Sequence, residues 1–309
     1  MNCQIGLENI KYSSIIMINN FKDKLLGCLV GGAVGDAVGS YYESQSTIKE
    51  VSYEHIYGIT DDTQLTLATC EAIISNKYLT PDKVAQHLLQ WYNKGLLRGL
   101  GASTLKALRD LQMGAHWGLS GRGGEYAAGN GAAMRIAPLA FVLNVPEQRQ
   151  LIRDICYITH KNEEAYVGAL SILYVLHYTL NDVEQDKLMN KVISEIPDTQ
   201  VRDNLISIAK EEYSIQEAAK LLGTSGFVAA SVPFSIYASQ QVSKIGFQNV
   251  ITQIIKCGGD TDTNASLAGQ IMGTTIGYNA LPTEIISIFN KIPESSYIIK
   301  VANNIEPKI

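Results

Sequence analysis

The segment GCLVGGAVGDAVGSYYE fills residues 27–43, and its reading decides the fold. From Phe21 to Gly39 the apolar residues Leu25, Leu26, Leu29, Val30, Ala33, Val34, Ala37 and Val38 recur at helical spacing. Gly27, Gly31, Gly35 and Gly39 are four apart and so share one helical face. A glycine costs about 1 kcal/mol per helical position relative to alanine. Four in register therefore predict a second backbone packed close against that face; the plainer alternative is a glycine-rich turn region. Far along the chain, Asn264–Gly277 has the same habit, with Gly269, Gly273 and Gly277 again spaced by four.

Outward from these two segments the dominant period stays helical. Helices are expected over Gln64–Ser75, Pro81–Lys94 with Thr80 as N-cap, Ser103–Leu111, Ala132–Leu143 with a bend at Pro138, Gln148–Thr159 and Glu163–Leu180. Further ones are expected over Val183–Ser194, Thr199–Glu212, Ser214–Leu222, Gly226–Gln240 and Lys244–Cys257, with Pro282–Asn290 closing the series. Met113–Gly131 is rich in glycine and reads as a long loop. Strand-like alternation is nearly absent, and no linker, low-complexity tract or tandem repeat interrupts the chain. The expectation is one compact, all-α, multi-helix domain over residues 21–309, with residues 1–20 as an N-terminal leader or packing arm.

The 309 residues are 46% hydrophobic and 18% charged, which supplies ample material for a core. A net charge of −5 without a basic stripe argues against nucleic-acid binding. Cys3, Cys28, Cys70, Cys156 and Cys257 are scattered and odd in number, which points to a reducing compartment. The apolar run Leu25–Val38 is too short for a membrane span and is interrupted by Asp36. Residues 1–20 lack the basic and apolar regions of a secretory signal. A cytoplasmic monomer with no membrane partner is expected.

The chemistry concentrates in two acidic clusters, Thr60-Asp61-Asp62-Thr63 and Gly258-Gly259-Asp260-Thr261-Asp262-Thr263. Each crowds two carboxylates with flanking hydroxyls at the entrance to a helix. An N-cap explains one Thr or Asp at such a place, but leaves the second carboxylate surplus. A helix N-terminus offsets part of the charge, and a divalent cation would offset far more. The donors are all hard oxygens, with no Cys or His among them, so Mg²⁺, Mn²⁺ or Ca²⁺ suits them better than zinc or copper. Four aspartates balance two divalent ions.

Two further loop motifs and two single residues stand out. Gly121-Arg122-Gly123-Gly124 through Gly129-Asn130-Gly131-Ala132-Ala133-Met134-Arg135 is a glycine-rich loop entering a helical stretch, which suits an anion such as phosphate as readily as a flexible turn. Gly99-Leu100-Gly101-Ala102-Ser103-Thr104 is a weaker loop of that kind. His160, at a helix end, and Glu43, just past the glycine stripe, read on their own as structural and surface residues.

Taken together, GCLVGGAVGDAVGSYYE (27–43), TDDT (60–63), GNGAAMR (129–135), ITH (158–160) and GGDTDT (258–263) resemble the ADP-ribosylglycohydrolases, in the family's order. The resemblance implies an all-α fold with a binuclear Mg²⁺ or Mn²⁺ centre in a central cleft. It implies Thr60, Asp61, Asp62, Asp260, Asp262 and Thr263 as metal ligands and Glu43 as a glutamate of the mobile loop at the metal site. Gly101 and Ser103 match positions near the diphosphate of ADP-ribose. Gly129, Asn130, Gly131 and Met134 match the loop that embraces the ligand, and His160 matches a substrate-side histidine. The implied reaction is hydrolysis at ribose C1″ by metal-activated water, with Asp61, Asp62 or Glu43 as the catalytic carboxylate. The implied partner is an ADP-ribosylated protein or ADP-ribose derivative, arginine-linked in preference to serine-linked.

Lys161-Asn162 after the histidine and the Ser120–Ala128 loop depart from the family pattern, which puts acceptor choice in doubt. One rival is a catalytically silent, ADP-ribose-binding or crystallin-like structural member of the same fold. Another is a prenyl-synthase-like enzyme, disfavoured because Leu65 stands where its further Asp should be.

Overall fold

The computed structural model describes residues 2–43, 45 and 47–307, with side chains from residue 20 onward. Among the described residues there are fifteen α-helices: α1 (Asn2–Gly39), α2 (Asp61–Ile74), α3 (Pro81–Asn93), α4 (Ala102–Gln112), α5 (Arg149–Tyr157), α6 (Glu163–Leu180), α7 (Gln185–Glu195), α8 (Gln200–Ile208), α9 (Ile215–Leu222), α10 (Val228–Ser239), α11 (Val242–Ile245), α12 (Phe247–Lys256), α13 (Thr261–Ile276), α14 (Thr283–Phe289) and α15 (Ser295–Asn304). The two strands, β1 (Arg122–Gly123) and β2 (His160–Lys161), are two residues each and pair in parallel. The protein is all-α, and no helix among the described residues is long and apolar enough to cross a membrane.

The two glycine stripes meet each other. A Cβ built on Gly27 would lie 2.2 Å from the Gly273 carbonyl oxygen, one on Gly31 2.2 Å from that of Gly269, one on Gly35 2.1 Å from that of Ala265, and one on Gly39 2.4 Å from that of Thr261. As the α1 number rises by four the α13 number falls by four, so the helices run antiparallel, backbone against backbone. This seam brings the C-terminal end of α1 to the N-terminus of α13.

Helix α13 also packs against α2, α6, α10 and α12. Thirteen of the eighteen residues of α6 and all twelve of α10 are buried. The outer helices are amphipathic instead: α12 buries Phe247, Val250, Ile251, Ile254 and Ile255, the one-sided stripe of a surface helix.

Several boundaries differ from the sequence reading. Ala132–Leu143 is not an α-helix; it holds short 3₁₀ turns, including Ala137–Phe141. Pro138 there lacks an N–H and disfavours the α conformation at the residue before it. Gly246, at φ 81°, splits Lys244–Cys257 into α11 and α12. Pro282–Asn290 does not close the series, because α15 follows it. Helix α1 begins at Asn2 rather than Phe21. The packing-arm expectation for residues 1–20 rests largely on side chains outside the described residues.

Candidate functional site

At the end of the seam the Thr261 hydroxyl donates to the Gly39 carbonyl at 2.8 Å, tying the start of α13 to the end of α1. The turn before α13 places Gly258 and Gly259 at φ 70° and 79°, in the left-handed region. A Cβ on Gly259 would meet the Thr224 carbonyl oxygen at 2.4 Å, so this turn requires glycine. It sets Asp260 at the N-cap position of α13 and Asp262 in its first turn, facing the start of α2.

Thr60 occupies the N-cap of α2 with extended backbone, yet its side chain makes no capping bond. The cap comes from Asp36, across the chain on α1. The Asp36 carboxylate accepts from Thr60 N at 3.1 Å, Thr60 Oγ1 at 2.8 Å and Thr63 N at 3.1 Å. Asp36 is fully buried. The sequence reading missed it as a site residue, although the signal was present: a carboxylate inside an apolar helix, between two glycines of the stripe. Because Asp36 carries the capping, Asp61 and Asp62 are left for the cavity.

The clusters converge. Carboxylate oxygens of Asp36, Asp62 and Asp262 lie within 4.8 Å of one another, as do those of Glu43, Asp260 and Asp262. The two groups share Asp262. The Thr263 hydroxyl donates to Asp62 Oδ2 at 3.2 Å, and the Thr60 hydroxyl oxygen, whose proton goes to Asp36, lies 3.3 Å from the same atom. Among the described residues, none of these carboxylates pairs with a Lys or Arg. Asp62 Oδ1 is buried with no hydrogen-bond partner. Buried like charges with an orphaned oxygen and hard donors on every side fit a divalent cation.

Without one, burial and mutual repulsion raise the affinity of several of these carboxyls for a proton. Burial, then the neighbouring charge of Asp36, pushes Asp61 up to about 7. Burial, then Asp260, pushes Asp262 up to about 9. Asp62 is raised well above the ordinary carboxylate range by burial and by Asp262. Glu43 is raised by burial and by Asp260. A carboxyl raised in the folded state stabilises the fold at low pH and loses that contribution as pH climbs through its folded value. His160 is held down to about 3 by burial and Arg135, so its effect on stability lies below about pH 6.5, where an unfolded histidine titrates. The chelator-treated protein is therefore expected to lose stability from pH 6.5 to 8, by about 1.4 kcal/mol per pH unit for each proton held. Thermal melts in EDTA check this; a melting temperature that rises over that range contradicts the buried cluster.

These groups open into a cavity of about 540 Å³, the size of a small-molecule site. Its wall includes Glu43, Asp61, Asp62, Asp260, Asp262 and Thr263, and also Gly101, Ser103, Gly129, Asn130, Gly131, Met134 and His160. Of the residues given a metal, catalytic or substrate role from the sequence, Thr60 alone is absent from the wall. Gly101 is the N-cap of α4 and Ser103 sits in that helix's first turn, so a helix N-terminus with its free N–H groups faces the cavity. Asn130 Nδ2 donates to Asp260 Oδ2 at 2.7 Å, linking the glycine loop to the second cluster.

Arg122 and Tyr126, from the Ser120–Ala128 loop, also line the cavity, and Tyr126 is 86% exposed at its rim. Ser225 and Gly226 were not legible locally. They arrive because Asn130 N donates to the Gly226 carbonyl at 3.0 Å and Gly129 bridges to Phe227.

A model of the ADP-ribosylglycohydrolase family matches residues 17–307. The chain belongs to this family. With the family comes the enzyme class, hydrolysis of a glycosidic bond. An uncharacterised Archaeoglobus fulgidus protein is 28% identical, over 82% of this chain and 87% of its own. ADP-ribosylarginine hydrolase Tri1 of Serratia proteamaculans is 27% identical, over 84% and 73%. ADP-ribosylhydrolase ARH3 of Mus musculus is 24% identical, over 83% and 84%. A solved structure described as an ADP-ribosylglycohydrolase-related protein complex superposes with a TM-score of 0.73 at 23% identity, covering 93% of this chain and 98% of that one. This ADP-ribosylglycohydrolase thus shares that fold, and its cavity lies where the acidic clusters converge.

Proposed function

We propose that the cavity binds ADP-ribose linked to a protein side chain, arginine in preference to serine, and hydrolyses the bond at ribose C1″. The observation that carries this reading is the joining of the two acidic clusters, the α4 N-terminus and the glycine loop in one cavity. The names of the Tri1 and ARH3 relatives support ADP-ribose as the ligand, and that of Tri1 supports the arginine acceptor.

Thr60, Asp61, Asp62, Asp260, Asp262 and Thr263 would hold two Mg²⁺ or Mn²⁺ ions, with Glu43 beside them. When bound, these ions neutralise the carboxylates and supply Lewis acidity toward water and the ribose hydroxyls. The α4 N-terminus, with Gly101 and Ser103, receives the diphosphate. Gly129, Asn130, Gly131 and Met134 enclose the nucleotide, and Asn130 keeps Asp260 in place. Glu43 lies exposed after α1 with a raised affinity for its proton, which suits proton exchange with water or with the departing acceptor. Asp61 is the second such group, and Asp62 completes the set of candidate catalytic carboxylates. C1″ passes through an oxocarbenium-like state, as in other glycosidic cleavages.

Peptides ADP-ribosylated on arginine or on serine, assayed with Mg²⁺, Mn²⁺ or EDTA, test the reading. Release from the arginine peptide with metal and none with EDTA is expected. Release from serine alone overturns the acceptor, and release from neither overturns the function.

A further inference from the structure

We propose that Arg135 and Thr159 are positioning residues that fix the neutral ring of His160 as its Nε2–H tautomer, so that a hydrogen-bond donor faces the ligand. The proposal deepens the reading of the cavity as an ADP-ribose site and rests on it for the ligand's identity, but not for the tautomer.

Arg135 has no exposed surface. Its Nη2 donates to the Ile155 carbonyl at 3.1 Å and to Thr159 Oγ1 at 3.0 Å. No carboxylate pairs with it among the described residues, and its Nε and Nη1 have no partner. An unpaired guanidinium in an apolar interior is costly, and packing alone would favour a methionine there. The hydrogen bonds it makes are therefore the reason to look for a role beyond stability.

The Thr159 hydroxyl is the hinge of the assignment. A hydroxyl has one proton and two lone pairs, and a guanidinium can only donate. Arg135 thus occupies one lone pair of Oγ1, and the single proton must go elsewhere. Two acceptors are near: His160 Nδ1 at 2.9 Å and the Cys156 carbonyl at 3.5 Å. The second lies beyond the usual O–H···O range of about 2.5–3.0 Å. The proton therefore goes to Nδ1, which must be bare, and a neutral imidazole then carries its own proton on Nε2. Burial and the Arg135 charge keep the ring neutral.

The loop geometry explains why Nε2 reaches the ligand. A Cβ on Gly131 would lie 2.7 Å from His160 Cε1, and one on Gly129 3.3 Å from Nε2. Side chains at these glycines would crowd the ring edge that lines the cavity. His160 Nε2 has no protein partner among the described residues, so its proton is free for an acceptor atom of the nucleotide, such as a phosphate, ribose or ring-nitrogen lone pair.

The test is long-range ¹H–¹⁵N correlation NMR on protein labelled at histidine, with the His160 signals assigned by their loss in His160→Gln. Wild type is expected to show the Nε2–H pattern. Thr159→Val is expected to shift it toward Nδ1–H or a mixture, and to weaken ADP-ribose binding by about tenfold in calorimetry. Thr159→Ser is expected to restore both. A wild-type ring protonated at Nδ1 overturns the proposal, and so does an unchanged Nε2–H pattern in Thr159→Val. Should Thr159→Val fail to fold, the wild-type and Thr159→Ser spectra still decide it. An Nε2–H ring in a protein that does not bind ADP-ribose upholds the tautomer and refutes the ligand.

Discussion

Asp262→Ala is expected to lower kcat/KM for ADP-ribose release by about a thousandfold or more, roughly 4 kcal/mol of transition-state stabilisation. Asp262 is the carboxylate common to both three-membered groups, so its loss opens both at once. The same change removes a buried carboxyl that is crowded by Asp260 and starved of solvent. In chelator the variant should therefore melt no lower than wild type. With Mn²⁺, wild type should gain thermal stability by mass action while the variant gains little. Bound Mn²⁺ counted by EPR should fall in parallel. Activity lost together with stability in chelator would mean misfolding, not a missing ligand. Near-normal turnover would remove Asp262 from the chemistry altogether.

Features of the fold that repeat locally were legible in the sequence. The i, i+4 glycine stripes announced a backbone contact, and α6 has the bounds its periodicity predicted, Glu163–Leu180. Thr80 was readable as a cap because its own hydroxyl accepts from Lys83 N at 3.4 Å, within one turn. The cap of α2 was not readable, because its acceptor, Asp36, stands 24 residues away on another helix. The same limit hid Ser225 and Gly226, which reach the cavity only through pairing with the glycine loop. Ala132–Leu143 misled because apolar content suggested a helix while Pro138 set the backbone. Helix α15 was missed because only Ile298, Val301 and Ala302 of its short run are buried. The clusters themselves were found because two carboxylates in adjacent or alternate positions exceed what a cap needs, and that excess is visible without a fold.

Gly31→Ala is the second large effect, and it is expected at a residue that touches no part of the cavity. Alanine favours the helix by about 1 kcal/mol relative to glycine. Against that, the new Cβ would sit 2.2 Å from the Gly269 carbonyl oxygen and 3.0 Å from its carbon. Backbone cannot swing aside as a side chain can, so α1 and α13 must separate, and overpacking of this kind costs about 1–3 kcal/mol or more. A net loss of about 2 kcal/mol is a sizeable share of a stability of about 5–15 kcal/mol. Gly32→Ala, one residue along, supplies the comparison. Its Cβ would meet Gln270 Cγ at 2.7 Å, so the buried Gln270 side chain, bonded through Nε2 to the Met134 carbonyl, must shift while the two backbones can keep their spacing. The seam also sets the distance between Asp36 on α1 and Asp262 on α13. A separation of about 1 Å at the site can cost a hundredfold in rate, so Gly31→Ala should depress kcat and weaken Mn²⁺ binding as well as lower the melting temperature. Urea unfolding and turnover measured on both variants decide the matter. If Gly31→Ala is as stable as wild type and keeps its turnover, the helices do not meet backbone to backbone. The geometry that joins the two acidic clusters would then need another origin.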